Sequence, residues 1–291
     1  MTLTRRTLLS RLAHGTGALA LAPLLAGATE RKFKIGVCEW SLGKSDPSSF
    51  DLAKQIGLEG VQITLGTVAN GLNLRQPSVQ QAYRDAARRS GVEIASLCLS
   101  ETSALPLFSE PKAAVWLLDS LEVCRALQQR VLLVAQFGIG ELKASDTAAM
   151  GRMLDLLREV APRAEKAGVV LGLENYLSAE DNLRLIDQVG SPAVQVYYDV
   201  GNSAHKGYDV LKEIRLLGRR ICEFHFKDSY EKYYDGSRIL SKARLDFQAI
   251  RAAIEDIGYR GWLLIEVDTK PDEAPAVQTG NLAYLRTLFP A

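Results

Sequence analysis

From Lys32 onward the chain alternates between short β-rich apolar runs and longer amphipathic stretches, and this alternation limits its fold more than any other feature. Runs of five to seven residues rich in Val, Ile, Leu and Phe have the length of buried strands. Apolar residues that recur every three to four positions need a helix to bring them onto one face. Strands are expected at Phe33–Cys38, Gly60–Thr64, Glu93–Leu99, Val131–Ala135, Val169–Glu174, Val194–Asp199, Ile221–Phe226 and Trp262–Val267. Helices are expected between them, among others at Ser78–Ser90, Ala113–Leu127, Asp146–Ala167, Asp209–Leu217 and Phe247–Ile257, with a last one near Ala276–Leu288. Gly57, Gly91, Gly168 and Gly258 stand where helices should stop.

Strict strand-then-helix order implies a parallel sheet with helical crossovers. Eight such units in one domain of roughly 250 residues is the arithmetic of a (β/α)₈ TIM barrel. The predicted organisation is therefore α/β, with a single barrel domain over residues 33–291. A doubly wound open sheet is the alternative. Against it, the first βα turn lacks a G-x-G-x-x-G run, and no composition break marks a second domain. An apolar fraction of 47% with 24% charged residues excludes a disordered or fibrous chain. The body holds no apolar run of about 18 residues or more, so a polytopic membrane protein is excluded too.

The first thirty residues have a different character. Arg5, Arg6 and Arg11 are the only charges in residues 1–28, and a mildly apolar run from Gly15 to Leu25 ends in Ala26-Gly27-Ala28. A charged start, a short apolar segment and a small-x-small end make a secretion signal, and the paired arginines resemble the twin-arginine type, which exports folded proteins. Residues 1–28 are accordingly expected to be a signal peptide and the protein to be periplasmic. Without that segment the body carries 32 basic and 34 acidic residues, a balance that gives no reason to expect nucleic acid or a membrane surface as partner. Cys38, Cys98 and Cys222 lie in strand-like runs and Cys124 in a helical one, and all four are expected to be free thiols.

In a TIM barrel the C-terminal strand ends carry the active site. Four successive strands end in ionisable groups: Val169–Glu174, Val194–Asp199, the run from Ile221 through His225 and Lys227, and Trp262 through Glu266. Each group alone is costly to bury. Together, three carboxylates and one imidazole form a hard-to-borderline ligand set suited to Mn²⁺, Mg²⁺ or Co²⁺, or to Zn²⁺, and the ion offsets their mutual repulsion. Lys227 shares the face of His225 at strand period two and is expected to point into the site, to meet a substrate oxygen or to pair with Asp268 or Asp228. Trp40 ends the first strand, where an aromatic would wall a sugar, and Gln62 lies on the second strand.

Glu174, the run Asp199-Val-Gly-Asn202, the run His225-Phe-Lys227-Asp228 and the stretch Gly258–Glu266 resemble the xylose isomerase-like superfamily of barrels, and within it the sugar (phosphate) isomerase/epimerase branch that includes the ketose 3-epimerases. The resemblance covers the body from Lys34 to Leu288. It implies one divalent ion, in the first place Mn²⁺, held by Glu174, Asp199, His225 and Glu266. It also implies that Glu174 and Glu266 act as the acid/base pair that moves a proton on a keto-sugar through an enediolate. By the same resemblance Glu180 falls where the epimerases have a substrate-contacting Glu; its other reading is a helix-start Glu facing the dipole. Asn202 stands in place of a substrate-reading His, Glu231 in place of an Arg, and Leu240–Phe247 in place of a Gly-rich loop. Relatives pair as homo-dimers or homo-tetramers.

The abasic-site endonucleases of the superfamily use three metals and many histidines, and this chain has only His14, His205 and His225. Two alternatives to an isomerase/epimerase stay open: a metal-dependent lyase or dehydratase acting on a 3-keto-sugar or inosose-like substrate, and a non-catalytic exported sugar-binding barrel.

Overall fold

The computed structural model describes residues 32–229 and 236–290, so the signal expected over residues 1–28, and Glu231, lie outside the described residues. Eight strands follow one another as β1 (Phe33–Cys38), β2 (Gly60–Thr64), β3 (Glu93–Leu99), β4 (Val131–Ala135), β5 (Val170–Glu174), β6 (Val194–Asp199), β7 (Ile221–Phe226) and β8 (Gly261–Ile265). All neighbours are parallel, and the ring closes where β1 pairs with β8 from Phe33↔Gly261 to Val37↔Ile265. Closure settles the fold as a TIM barrel and removes the open-sheet alternative.

The helices are α1 (Ser48–Ile56), α2 (Pro77–Ser90), α3 (Pro111–Leu127), α4 (Thr147–Ala167), α5 (Ala179–Val189), α6 (Val200–His205), α7 (Val210–Leu217), α8 (Phe247–Asp256) and α9 (Ala274–Leu288). Local chemistry sets their ends. Asp146, expected inside α4, instead caps it, its carboxylate accepting from the Ala149 N–H; Ser178, Asp209 and Asp246 do the same for α5, α7 and α8. The four glycines expected to stop helices all have positive φ, from 67° at Gly258 to 95° at Gly57. No helix among the described residues is long and apolar enough to cross a membrane.

Two regions are buried. Large side chains such as Phe50, Met153, Ile186 and Phe247 fill the layer between strands and helices. Inside the ring the packing is smaller, with Cys38, Ala95, Cys98 and Ala135 around Tyr197 and Leu264. That leaves volume for a column of buried polar groups, among them Gln62, Ser96, Glu223 and His225. All four cysteines are unpaired, as expected.

Glycine makes this close interior possible. A Cβ on Gly36 would stand 2.5 Å from Leu264 Cδ2 and 2.8 Å from the Gly60 carbonyl oxygen. The backbone oxygen cannot step aside. Gly36→Ala is expected to lower unfolding stability by about 1–3 kcal/mol, seen in urea denaturation as a lower midpoint with an unchanged slope.

Candidate active site

Four strand ends deliver the site. Glu174 is the last residue of β5, Asp199 the last of β6 and His225 the penultimate residue of β7. Glu266 lies one residue beyond β8, yet its N–H still bonds the Phe226 carbonyl, which holds it on the rim. One ligand atom from each of these four residues lies within 4.8 Å of the others. His225 Nδ1 stands 3.2 Å from Glu174 Oε1, 3.3 Å from Glu266 Oε2 and 3.8 Å from Asp199 Oδ2.

Around these atoms each carboxylate has a fixed orientation. Asn202 Nδ2 donates to Glu174 Oε1 at 3.2 Å, and its backbone N–H donates to Asp199 Oδ1 at 2.8 Å. Trp40 Nε1 donates to Glu266 Oε1 at 3.2 Å. Lys227 Nζ lies 2.7 Å from Glu266 Oε2 and 2.9 Å from Asp199 Oδ2. Among the described residues its ion pairs are thus with two of the clustered carboxylates and not with the Asp268 or Asp228 that strand order alone left open.

Electrostatics separates the carboxyl groups. Burial pushes Asp199 up to about 7 despite the nearby Lys227 ammonium. Burial acts on Glu266 in the same sense, but Lys227 and then His225 outweigh it and hold this carboxyl well below its usual range. Burial alone would lower His225, while Cys38, Glu266 and Glu174 raise it well above the ordinary histidine value. Lys227 is likewise held well above its usual value by Asp199, Glu266 and Glu174, against burial.

These residues fit a divalent cation. Asp199 Oδ2 is buried and faces the Lys227 ammonium as an ion-pair partner, with no hydrogen bond of good geometry to satisfy it. With an ion in place of the imidazole proton, three carboxylates set against one ammonium and a neutral imidazole leave two negative charges, which one divalent ion matches. The donor set of three oxygens and one nitrogen suits Mn²⁺, Mg²⁺, Co²⁺ or Zn²⁺.

Above the four ligand positions opens a cavity of about 620 Å³, walled by Trp40, Phe137 and Tyr176 and bordered by Asn202, Lys227 and Glu266. This is the volume range of small-molecule sites. The described residues therefore bring together Glu174, Asp199, His225, Glu266, Trp40, Asn202 and Lys227.

They do not bring Glu180. It lies in the first turn of α5 with its side chain 52% exposed, 3.4 Å from Lys212 Nζ. Its own backbone N–H and Lys212 lower its pKa, as the helix-start reading expects.

A family comparison completes the picture. The model of the xylose isomerase-like TIM barrel matches residues 50–288. The chain belongs to this family. Among curated proteins it is 28% identical over 177 residues to the 2-epi-5-epi-valiolone 7-phosphate 2-epimerase of an Actinoplanes species, covering 60% of this chain and 65% of that one. It is 26% identical over 267 residues to the L-ribulose-5-phosphate 3-epimerase UlaE of Salmonella heidelberg, covering 86% of this chain and 93% of that one. Among solved structures, a D-psicose 3-epimerase crystallised in the presence of D-fructose superposes with a TM-score of 0.74 at 14% identity, covering 89% of this chain and all of that one.

Sequence reasoning did not foresee several neighbours of the site. Glu223 is wholly buried beneath the cluster and pushed up to about 8 by that burial, against hydrogen bonds from Ser96 and Tyr197. The signal was available: Glu223, His225 and Lys227 share one strand face, as do Tyr197 and Asp199. Asp228 proves to be a loop staple, accepting from the N–H groups of Ser229, Ser237, Arg244 and Leu245. Glu39, beside Trp40, faces away from the cluster and accepts from Thr64 N–H, the Thr64 hydroxyl and the Tyr83 hydroxyl at 2.7, 2.9 and 2.9 Å.

Two measurements follow from this geometry. A cation bound only by the folded state stabilises it by about 2.7 kcal/mol at a hundred times its Kd. Mn²⁺ should therefore raise the melting temperature and a chelator should reverse the rise. Burial pushes Glu39 up to about 7 from an ordinary 4.5, so the folded state holds this proton more tightly than the unfolded chain. Its contribution to stability is full below the unfolded value and is lost as pH rises from about 4.5 to about 7. In Glu39→Gln that component, of order 3 kcal/mol, should vanish from the difference between urea unfolding at the two ends of this window.

Proposed function

We propose that the protein is a divalent-metal-dependent epimerase or isomerase of a small keto-sugar, with Glu174 and Glu266 as the paired acid and base. The observation that carries this reading is the convergence of two carboxylates from strands β5 and β8 on one point, each with an oxygen held by a neutral donor, beside an aromatic-walled cavity that Glu266 borders. A pair so placed can meet one substrate carbon from two sides. The epimerase names of its curated relatives support the same class.

The hydrogen next to a sugar carbonyl is too weakly acidic for a free carboxylate to remove at a useful rate. A divalent ion held by Glu174, Asp199, His225 and Glu266, Mn²⁺ first among the candidates, would supply Lewis-acid polarisation of that carbonyl. The Lys227 ammonium keeps Glu266 ionised, so it is ready to accept the proton. Glu174, oriented by Asn202, takes up a solvent proton and delivers it from the other side, and Glu266 then releases the proton it removed to solvent, so that both carboxylates are restored. Lys227 adds a fixed positive charge where negative charge grows on the substrate. Trp40 fixes Glu266 through its indole N–H and, with Phe137 and Tyr176, offers ring faces to the C–H faces of a sugar while excluding water. The twin-arginine-like start supports work outside the cytoplasm, on a carbohydrate that reaches the periplasm.

The test is solvent deuterium exchange into a panel of free and phosphorylated keto-sugars, with Mn²⁺ present. Deuterium uptake together with a new epimer or isomer is the expected result. Loss of water or of an aglycone would make the protein a lyase, and no uptake by any sugar, with metal bound, would make it a binding barrel. Glu174→Gln and Glu266→Gln should each cut turnover by about 10²–10⁴-fold while the melting temperature measured in chelator stays near that of the parent in chelator. Near-normal turnover in either variant rules out the two-carboxylate mechanism.

A further inference from the structure

Beneath His225 lies a run of buried polar groups that the proposed reaction does not use, and their hydrogens can be counted. Gln62 is fully buried and sits against the far side of the imidazole. Its Nε2 lies 2.9 Å from Ser96 Oγ and 3.0 Å from the Tyr197 hydroxyl. Its Oε1 lies 2.9 Å from His225 Nε2 and 3.4 Å from Cys38 Sγ.

The orientation of this amide is set by chemistry from below. Ser96 and Tyr197 each present a hydroxyl oxygen to this amide. An amide offers two hydrogens on nitrogen, and these two oxygens take both. The opposite orientation would set the NH₂ against the imidazole and the Cys38 thiol and would give up both donations to the hydroxyl oxygens. Oε1 must therefore face His225, and the ring nitrogen opposite an acceptor must carry the hydrogen. The edge-on contact of the Tyr197 and His225 rings, with centroids 4.6 Å apart, keeps the imidazole in this plane.

We infer that Gln62 is a positioning residue that locks His225 with its hydrogen on Nε2, so that the lone pair of the neutral ring is on Nδ1, the atom that faces Glu174, Asp199 and Glu266. Gln62 is itself held by the Ser96 and Tyr197 hydroxyls, and the column from Gln62 to His225 spans four strands of the barrel, β2, β3, β6 and β7. An outer partner of this kind fixes both the tautomer and the ring orientation of a metal-ligating histidine. Neither free rotation of the ring nor the other tautomer would leave a donor pair aimed at the carboxylates. The inference rests on the metal-site reading above, but it concerns affinity for the ion and not turnover.

Two readouts test it, on the full chain loaded with Zn²⁺. Only three histidines are present in the chain, so ¹⁵N-histidine labelling gives an assignable imidazole spectrum. The expected spectrum has His225 Nε2 carrying a slowly exchanging proton and Nδ1 without one. Calorimetric titration with Zn²⁺ should give Gln62→Leu a Kd about 10- to 100-fold weaker than the parent. Gln62→Glu, which keeps an acceptor opposite Nε2, should recover most of that affinity, which a purely space-filling role would not predict. A proton found on Nδ1 overturns the inference, as does a Gln62→Leu Kd equal to that of the parent. If Gln62→Leu fails to fold, the parent spectrum alone decides. A parent that binds no Zn²⁺ overturns it together with the metal site. A parent that binds Zn²⁺ with the expected spectrum but labels no keto-sugar leaves this inference standing while the proposed reaction falls.

Discussion

Three carboxylates held within 3.8 Å of one imidazole nitrogen, in a largely buried place, are the constraint to which the rest of this barrel answers. Isolated carboxylates so close would repel and would resist ionisation in a low-dielectric interior. The Lys227 ammonium, reaching two of them, relieves part of that repulsion. The charge that remains matches a divalent ion. Trp40 and Asn202 then hold individual oxygens in place with neutral donors, so the positions are fixed without adding charge.

This arrangement shapes the interior of the ring. Bulky aliphatic layers are the usual filling of a TIM barrel. Here Cys38, Ala95, Cys98 and Ala135 make room for Gln62, Ser96, Tyr197 and Glu223, whose polar atoms largely satisfy one another. Apolar stabilisation moves outward, to the layer between strands and helices, where the large side chains lie. The small interior in turn demands glycine where strands and side chains nearly touch, as at Gly36 and at Gly172, whose Cβ would stand 2.7 Å from Cys222 Sγ. A polar column that would be a defect in a purely structural core is here the underside of the site.

The division between machinery and mouth follows the same logic. The clustered ligands sit on strands, which are rigid and paired on both sides. The cavity above them is walled by residues of the βα loops, such as Phe137, Tyr176 and Asp268, and one of these loops is stapled by the Asp228 carboxylate. Chemistry shared across a family can stay on the strand ends while the loops set which molecule enters.

Much of this was legible in the sequence. Apolar runs of strand length, helical periodicity and glycine stops determined eight strands almost to the residue, because those signals are local. Strand-end placement identified Glu174, Asp199, His225 and Glu266, since an ionisable group after an apolar strand has few other places to be. Strand period two also put Lys227 on the site face. The tertiary structure alone decided the partners. Which carboxylates Lys227 meets, that Asp228 binds backbone amides, that Glu180 stays outside with Lys212, and that Gln62 backs His225, all depend on contacts between strands brought together by closing the ring. The physical reason is that periodicity tells a side chain which face it occupies, whereas hydrogen bonds and ion pairs are set by distances across the barrel that no single segment contains.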